Sequence, residues 1–157
     1  MEGGIALSSA DLRKILDADI RLKNLDIRIC AFDRIPNDMK PNTAVIMNNQ
    51  NHQQPGQHWL TLFKKDEGVY EFWDSFGLSP TVYGLLKKHA FLRNCEIVYH
   101  NKSIQYIFSN LCGFYSIFFL QKRFRGFDMD AIISMFGSNT KLNDTIILKE
   151  FNAFKFK

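Results

Sequence analysis

Four side chains that could cooperate in thiol chemistry follow one another along the chain as histidine, carboxylate, glutamine and cysteine. They are His58, Asp74, Gln105 and Cys112. Hydrolysis by a thiol needs a thiolate, an imidazole that takes the thiol proton, a group that orients the imidazole, and donors for the oxyanion. Each of the four residues lies at the boundary of a predicted helix or strand, where side chains from separate elements can meet.

Cys112 opens the almost wholly apolar run "CGFYSIFFL", which is typical of a buried helix. The unpaired amides and the dipole at the start of a helix favour an anion and would activate a thiol placed there. Gly113 has no side chain, so we expect it to let a substrate carbonyl approach the backbone. The alternative is a structural cysteine, because buried cysteines commonly serve as small apolar residues.

His58 and Asp74 belong to two predicted strands that "KKDEG" joins into a β-hairpin. His58 follows a Pro-Gly turn at the start of the first strand, and Asp74 ends the second strand inside "FWDSFG". In a hairpin these positions share one end, where the carboxylate could accept the imidazole N–H while Trp59 shields one side from water. The alternatives are a half-buried strand histidine and an aspartate that only initiates a turn.

Gln105 lies seven residues before Cys112, in a predicted loop that leads into the apolar helix. A glutamine amide at this place could donate to an oxyanion, with the backbone amide of Cys112 as the second donor. Taken alone, a loop glutamine carries little functional information.

Hydrophobic periodicity predicts the elements that would position these residues. Strands are predicted over residues 26–33 and 43–48, in the two arms of the hairpin, and over "CEIVYH" from Cys95. Helices are predicted over the apolar run from Cys112 and after the N-caps Ser9, Ser79, Asp128 and Asn143. This order predicts a single α+β domain over residues 1–157, with a mixed central sheet flanked by helices and Cys112 at the N-terminus of the buried central helix.

The composition is globular, with 157 residues, 46% hydrophobic and 23% charged, and 15 phenylalanines that predict an aromatic core. The net charge of +4 and the basic clusters at 85–93, 121–125 and in the terminal "FKFK" suit a polyanion such as DNA, or equally solvated helix faces. Three cysteines without a CxxC motif predict neither a disulfide framework nor a zinc site, so we expect a reducing compartment and no metal. Neither a signal peptide nor a membrane span is expected.

Three stretches, "GQHWLTLF", "YEFWDSFGLSP" and "KSIQYIFSNLCGFYSIFFL", resemble in order and spacing the adenain-like cysteine proteases of adenoviruses, virophages and Polinton/Maverick-type elements. The resemblance runs from Ala44 to about Leu120, roughly half of the chain. It implies an α+β fold with a papain-like site. It also implies that the general base, the orienting carboxylate, the oxyanion-hole glutamine and the nucleophile are His58, Asp74, Gln105 and Cys112.

The activity implied by the resemblance is that of a monomeric endopeptidase that cuts viral capsid or other structural precursors at glycine-containing sites during particle maturation. The implied locations are the virion and the infected host cell, in its nucleus or cytoplasm, without membrane contact. Adenoviral members are activated by DNA and by a peptide held through a disulfide. Cys95 lies near the position of the peptide-linking cysteine, although its spacing to Gln105 differs by one residue. Cys95 is otherwise a strand cysteine that faces the core, and "YIFSNL" lacks the Gly-Pro of adenoviral members.

Two other functions fit the same residues. The first is an isopeptidase that removes ubiquitin-like modifiers, although such enzymes usually need a larger surface for the modifier. The second is a non-catalytic, basic particle protein that binds DNA, against which the intact cysteine, histidine and aspartate argue.

The N-terminal "MEGG" has the form of an adenain-type cleavage sequence. It predicts either self-cleavage after Gly4 or a tail that occupies a neighbouring cleft as a product mimic. The alternative is an ordinary frayed terminus in which the two glycines have no such meaning.

Overall fold

The computed structural model describes residues 6–50, 58–152 and 154. Over these residues five strands form one sheet in chain order. β1 pairs with β2 and β4 pairs with β5 in parallel, whereas β3 is antiparallel to both of its neighbours. The prediction of an α+β fold with a mixed sheet is therefore confirmed. The strands are β1 Ile27–Ala31, β2 Thr43–Asn48, β3 Trp59–Asp66, β4 Val69–Trp73 and β5 Glu96–Tyr99.

Helices cover both faces of the sheet in the described part of the chain. None of them is long and apolar enough to cross a membrane. The α-helices are α1 Ser9–Ala18, α2 Leu85–Lys88, α3 Cys112–Arg123, α4 Met129–Ile133 and α5 Thr140–Glu150. Three short 3-10 helices span Phe32–Arg34, Pro80–Tyr83 and Ala90–Leu92.

The sheet divides the core into two clusters because side chains alternate along each strand. Along β3, Trp59 and Phe63 pack in the helix-side cluster, which contains α1, α3, α4 and α5. Leu60 and Leu62 pack in the opposite cluster, which contains Leu85 of α2 and the 3-10 segments. The candidate nucleophile lies in the helix-side cluster.

The predicted buried helix at the centre of the fold is α3, and this prediction is confirmed. The first nine residues of α3 are all buried, so the helix is apolar on every side. Charge appears only in its last turn, where Lys122 and Arg123 suit the negative end of the helix dipole. Arg123 also donates from Nε to the buried Glu71 at 2.6 Å, which fixes this end of α3 to β4.

The prediction of one continuous helix after Ser79 is wrong. Ser79 precedes a 3-10 helix and makes no side-chain capping bond. Gly84 then adopts a φ of 73°, a left-handed conformation that interrupts the helical path before α2. His89 is extended and ends α2 after only four residues.

Two of the predicted helix caps are displaced. α1 is capped by Ser8 instead of Ser9, because Ser8 Oγ accepts the backbone N–H of Asp11 while the Asp11 side chain accepts the Ser8 N–H. α5 is capped by Asn139, whose side chain accepts the N–H one turn later. Asn143, the predicted cap, is buried inside α5 because it has tertiary hydrogen-bond partners.

Cys95 lies just before β5 and not within the strand predicted for it. Its backbone N–H donates to the carbonyl of Leu92 at 3.1 Å, so the residue closes the preceding turn. Its partly buried thiol packs against the opposite cluster and donates weakly to the carbonyl of Phe91 at 3.5 Å.

Candidate active site

The β3–β4 hairpin brings His58 and Asp74 together, as the sequence predicts. His58 directly precedes β3 and Asp74 directly follows β4, with Thr61 paired to Trp73 between them. The imidazole Nε2 lies 2.7 Å from Asp74 Oδ1. Both side chains are buried, at 8% and 1% exposure. A short hairpin connection fixes this pairing locally, and for that reason the sequence sufficed to predict it.

The Asp74 carboxylate is held in one orientation by four hydrogen bonds. In addition to the His58 ring, Oδ1 accepts the backbone N–H of Phe76 at 3.0 Å. Oδ2 accepts the backbone N–H of Leu78 at 3.2 Å and the hydroxyl of Tyr83 at 2.7 Å. Burial raises the pKa of Asp74, but the bonds from His58, Tyr83 and the Phe76 amide outweigh it and hold the pKa below its ordinary value. The carboxylate is therefore ionised where it meets the imidazole.

The turn after β4 requires a glycine at position 77. Gly77 has a φ of 70° and donates its N–H to the Asp74 carbonyl at 2.9 Å. A Cβ at this position would lie 2.6 Å from the backbone of Lys102. Any side chain would push the turn away from its neighbour, so the glycine of "FWDSFG" helps to place the Asp74 carboxylate.

The other partner of the His58 ring is the Cys112 thiol. Because Nε2 is engaged by Asp74, Nδ1 is the nitrogen left for the hydrogen bond between His58 and Cys112. Burial alone would lower the pKa of His58, but the hydrogen bonds to Asp74 and Cys112 outweigh burial and raise it to about 9. Phe76 stacks on the ring with 4.7 Å between centroids, which excludes water from that side. The imidazole is therefore positively charged at neutral pH.

Cys112 is the first residue of α3 and is 5% exposed. Its Sγ accepts the backbone N–H of Trp59 at 3.3 Å. No side chain caps the first turn of α3 at Leu111. The positive end of the helix dipole can therefore interact with an anion at this position. The amide donor, the start of the helix and the charged imidazole therefore all meet at the Cys112 sulfur.

Gly113 serves packing and not substrate access, which corrects the prediction made from the sequence. A Cβ at Gly113 would lie 3.2 Å from side-chain atoms of Leu7, Leu12 and Trp59. The space beside this glycine is thus occupied by the N-terminal segment, α1 and the indole. Trp59 Nε1 also donates to the carbonyl of Leu7 at 2.8 Å, which ties the N-terminal segment to the site.

Gln105 braces the loop that leads to Cys112. It is 1% exposed, and its Oε1 accepts the hydroxyl of Ser75 at 2.5 Å. Its Nε2 donates to both the carbonyl and the hydroxyl of Ser109, at 2.9 and 3.1 Å. Both amide hydrogens are engaged within the loop, so the oxyanion role of Gln105 stays a prediction that this geometry does not display.

Helix α5 fixes the same loop from its other side. Asn143 donates from Nδ2 to the carbonyl of Ile104 at 3.0 Å. Asp144 accepts the backbone N–H of Tyr106 at 3.3 Å. The C-terminal helix therefore positions the segment that precedes Cys112, a role for which its sequence carries no signal.

A cavity of about 260 Å³ opens beside the thiol. Cys112 and His58 line it together with the polar side chains of Asn49 and Ser109. Ile107, 71% exposed, forms part of its outer wall. Its other apolar walls include Leu7, Trp59 and Phe76.

The other two cysteines lack these surroundings. Burial, and then the neighbouring Asp33, raise the pKa of Cys30 to about 11, so this thiol stays protonated at neutral pH. No disulfide joins any of the three cysteines. Among the residues that the structure describes, no group of three or more His, Cys, Asp or Glu side chains could hold a metal ion.

Four residues of the site were not assigned from the sequence: Ser75, Phe76, Tyr83 and Asn49. Ser75 and Phe76 follow Asp74 inside the quoted "FWDSFG", so their proximity to it was a usable signal. Tyr83 and Asn49 had no such signal, because each reaches the site only through the tertiary fold.

The remaining predictions concern the N-terminus and the basic clusters. "MEGG" lies outside the described residues. In the clusters, Arg93 donates to the carbonyls of Leu86 and Lys87, and Arg123 binds Glu71. These two arginines therefore have partners within the chain.

Comparison with known proteins shows a similarity to a viral protein. No protein-family model matches the sequence. A protein of Acanthamoeba polyphaga mimivirus, named as a putative thiol protease, is 30% identical over 111 residues. The match covers 66% of this chain and 37% of the relative, so the chain spans little more than a third of that protein's length. The chain is thus similar to one part of a viral protein named as a thiol protease.

Proposed function

We propose that residues 1–157 form a single catalytic domain of a viral cysteine endopeptidase. The observation that carries the proposal is one imidazole in contact with a buried carboxylate, 2.7 Å from Nε2, and with a thiol at the start of α3. A histidine that only fills a core needs no oriented carboxylate on one side and no thiol on the other. The similarity to a viral protein named as a thiol protease supports the same class.

The proposed reaction uses His58 and Cys112 as an ion pair. The Cys112 thiolate attacks the scissile carbonyl carbon, and the oxyanion accepts hydrogen bonds from the Cys112 backbone amide and from a side-chain amide. The His58 imidazolium then gives its proton to the leaving amine, the C–N bond breaks, and an acyl thioester remains on the sulfur. His58 next takes a proton from water, which attacks the thioester and releases the acid and the thiolate. Asp74 keeps the ring oriented and balances its charge.

The substrate class we propose is a viral capsid or structural precursor, cut during particle maturation as adenain-like proteases cut theirs. The motifs around His58, Asp74 and Cys112 support this assignment. Leu7 and Trp59 form apolar walls of the cavity beside the thiol, and these walls would limit the size of the residues at the cut bond and favour glycine there. The enzyme would then act as a monomer, in the virion and in the nucleus or cytoplasm of the infected host cell, without membrane contact.

Activation by DNA or by a peptide belongs to the same proposal. DNA would bind the basic clusters at 85–93 and 121–125 through their lysines, because Arg93 and Arg123 already have partners within the chain. A peptide held through Cys95 would need this partly buried thiol to leave its contact with the carbonyl of Phe91.

Mass spectrometry of candidate capsid proteins tests the proposal. The proteins are incubated with the wild type and with Cys112→Ala, and new termini are mapped. We expect cuts next to glycine with the wild type alone. Absence of any cut in these proteins and in a peptide library would contradict a protease. Cleavage of fluorogenic ubiquitin-like modifiers, with capsid proteins left intact, would favour the isopeptidase instead.

A further inference from the structure

Asn49 lies in the cleft beside the two reactive side chains. It directly follows β2, and its backbone N–H donates to the carbonyl of His58 at 2.9 Å. The antiparallel register pairs Asn48 with Trp59, so the end of β2 runs alongside the residues that face the thiol. The Asn49 side chain lines the same cavity as His58 and Cys112.

The Asn49 amide has no hydrogen-bond partner among the residues that the structure describes. Its Oδ1 is buried and accepts no hydrogen bond, whereas its Nδ2 is not among the buried unpaired atoms of the described residues. Folded proteins pair nearly all of their buried polar groups, because an unpaired group destabilises the fold. An unsatisfied amide that persists at the wall of a reactive cleft points to a partner that arrives with the substrate.

Gln105 does not compete for this role in the structure as it stands. Its Nε2 donates twice to Ser109, and the residue is 1% exposed behind the loop. Gln105 therefore holds the loop in shape, while the Asn49 amide makes no hydrogen bond to another described residue.

We propose that Asn49 is a substrate-contacting residue whose Nδ2 donates to a main-chain carbonyl of the bound peptide and positions it against Cys112 Sγ. The inference rests on the proposed function and names a second side-chain amide for it. A side-chain amide pairs with the main chain of any peptide, so the contact holds the peptide irrespective of its sequence. The contact lowers the barrier to the extent that it strengthens as charge develops on the carbonyl.

Two substitutions separate a substrate contact from a structural role. Asn49→Ala removes the amide, whereas Asn49→Asp keeps its shape and replaces the amide donor with a charged carboxylate that only accepts. Asn48→Ala is the matched control, because Asn48 is the preceding asparagine and its Oδ1 accepts the Gln50 N–H at 3.0 Å. Three quantities are measured: kcat/KM on the quenched peptide that the wild type cleaves fastest in a peptide library, the rate of Cys112 alkylation by iodoacetamide, and the thermal midpoint.

Both Asn49 variants should lose at least about tenfold in kcat/KM, and the control should stay within about threefold of the wild type. Asn49→Ala should keep the alkylation rate within about twofold, because the ion pair is intact, and should keep or raise the thermal midpoint, because an unpaired group is gone. Unchanged kcat/KM in Asn49→Ala, or full activity in Asn49→Asp, would overturn the donor role. A joint loss of alkylation and thermal midpoint in Asn49→Ala would overturn it in favour of a structural role. The proposed function and this inference would be overturned together if the wild type cuts no peptide and if Cys112 is alkylated at the same rate in the wild type and in His58→Ala.

Discussion

Two buried histidines, His58 and His89, lie in different surroundings within the fold. Each is 8% exposed and each engages Nε2 with an oxygen, at 2.7 Å to the Asp74 carboxylate and at 2.6 Å to the Phe32 carbonyl. The region of His89 also contains a cysteine, because His89 packs against Phe91 and the carbonyl of Phe91 accepts the Cys95 thiol.

The comparison teaches that burial and a hydrogen bond do not make a histidine reactive. The carbonyl of Phe32 carries no net charge, so it holds the His89 ring in place by a hydrogen bond alone. The carboxylate of Asp74 is also charged, and with Cys112 it raises the pKa of His58 to about 9. The thiols differ in the same way, because Cys112 accepts an amide at a helix start whereas Cys95 donates to a carbonyl.

Replacing each thiol in turn tests most directly whether Cys112 differs from the other two cysteines. Cys112→Ala should abolish turnover, while Cys30→Ser and Cys95→Ser should stay within about threefold of the wild type. Peptide cleavage by the purified variants measures this. Residual cleavage by Cys112→Ala would rule out the mechanism.

Removal of the two histidines should separate chemistry from stability. His58→Ala should lower kcat/KM by about 10³-fold or more, because the imidazole that exchanges the thiol proton is removed. His89→Ala should leave kcat/KM within about threefold and lower the free energy of unfolding by about 1–3 kcal/mol, since the Phe32 carbonyl loses its buried donor. Peptide kinetics and urea unfolding check the pair, and equal catalytic losses would show that the two regions do not differ as described.

Asp74→Asn tests what the carboxylate adds beyond a hydrogen bond. The substitution keeps an oxygen for the ring but removes the charge, so kcat should fall by about ten- to a hundredfold, less than in His58→Ala. The pKa of His58 should also fall below its value of about 9, and NMR titration of the imidazole measures this. Activity equal to that of the wild type would mean that another group orients His58.

The pH dependence of stability should distinguish His58 by its sign. The pKa of His58 is raised in the folded protein to about 9 from an ordinary 6.5. Its contribution to stability is therefore fully present below about pH 6.5 and is lost as the pH rises through about 9. The difference in free energy of unfolding between the wild type and His58→Ala should shrink between about pH 6 and about pH 9.5 in urea titrations. A constant difference would contradict the raised pKa.

DNA should produce the smallest effect. If the basic clusters bind phosphates, short duplex DNA should raise cleavage a few-fold at low salt, and the effect should fade as salt is added. A double lysine variant, Lys87→Ala with Lys88→Ala, should reduce this stimulation without changing the basal rate. Cleavage rates that do not change when DNA is added at low salt would contradict this part of the proposal.

The sequence by itself determined the parts of the site that local geometry fixes. The run "TAVIMN" predicts β2 at its observed bounds, and the hairpin predicts that His58 and Asp74 meet, because a short connection leaves little freedom of register. The apolar run predicts a buried helix from Cys112, because a helix that is apolar on all sides must be enclosed.

Local propensity failed where a distant partner or a backbone conformation decided the outcome. Gly84 interrupts the helix predicted after Ser79 through its left-handed conformation. Asparagine is a common helix cap, but Asn143 lies inside α5, where its side-chain amide donates to the carbonyl of Ile104. From the sequence, Gly113 was expected to let a substrate approach the backbone. In the structure, three side chains from other elements fill the space beside it.

Only the tertiary structure decided which groups surround the thiol. Trp59 donates to Cys112 across 53 residues of chain, and the amide of Gln105 is directed to Ser109 instead of the cleft. The Tyr83 hydroxyl on Asp74 and the unpaired amide of Asn49 likewise follow from how strands, loops and helices pack. Some of these contacts join residues far apart in sequence, and others depend on the path of a loop. Contacts of both kinds leave no periodic pattern in the sequence.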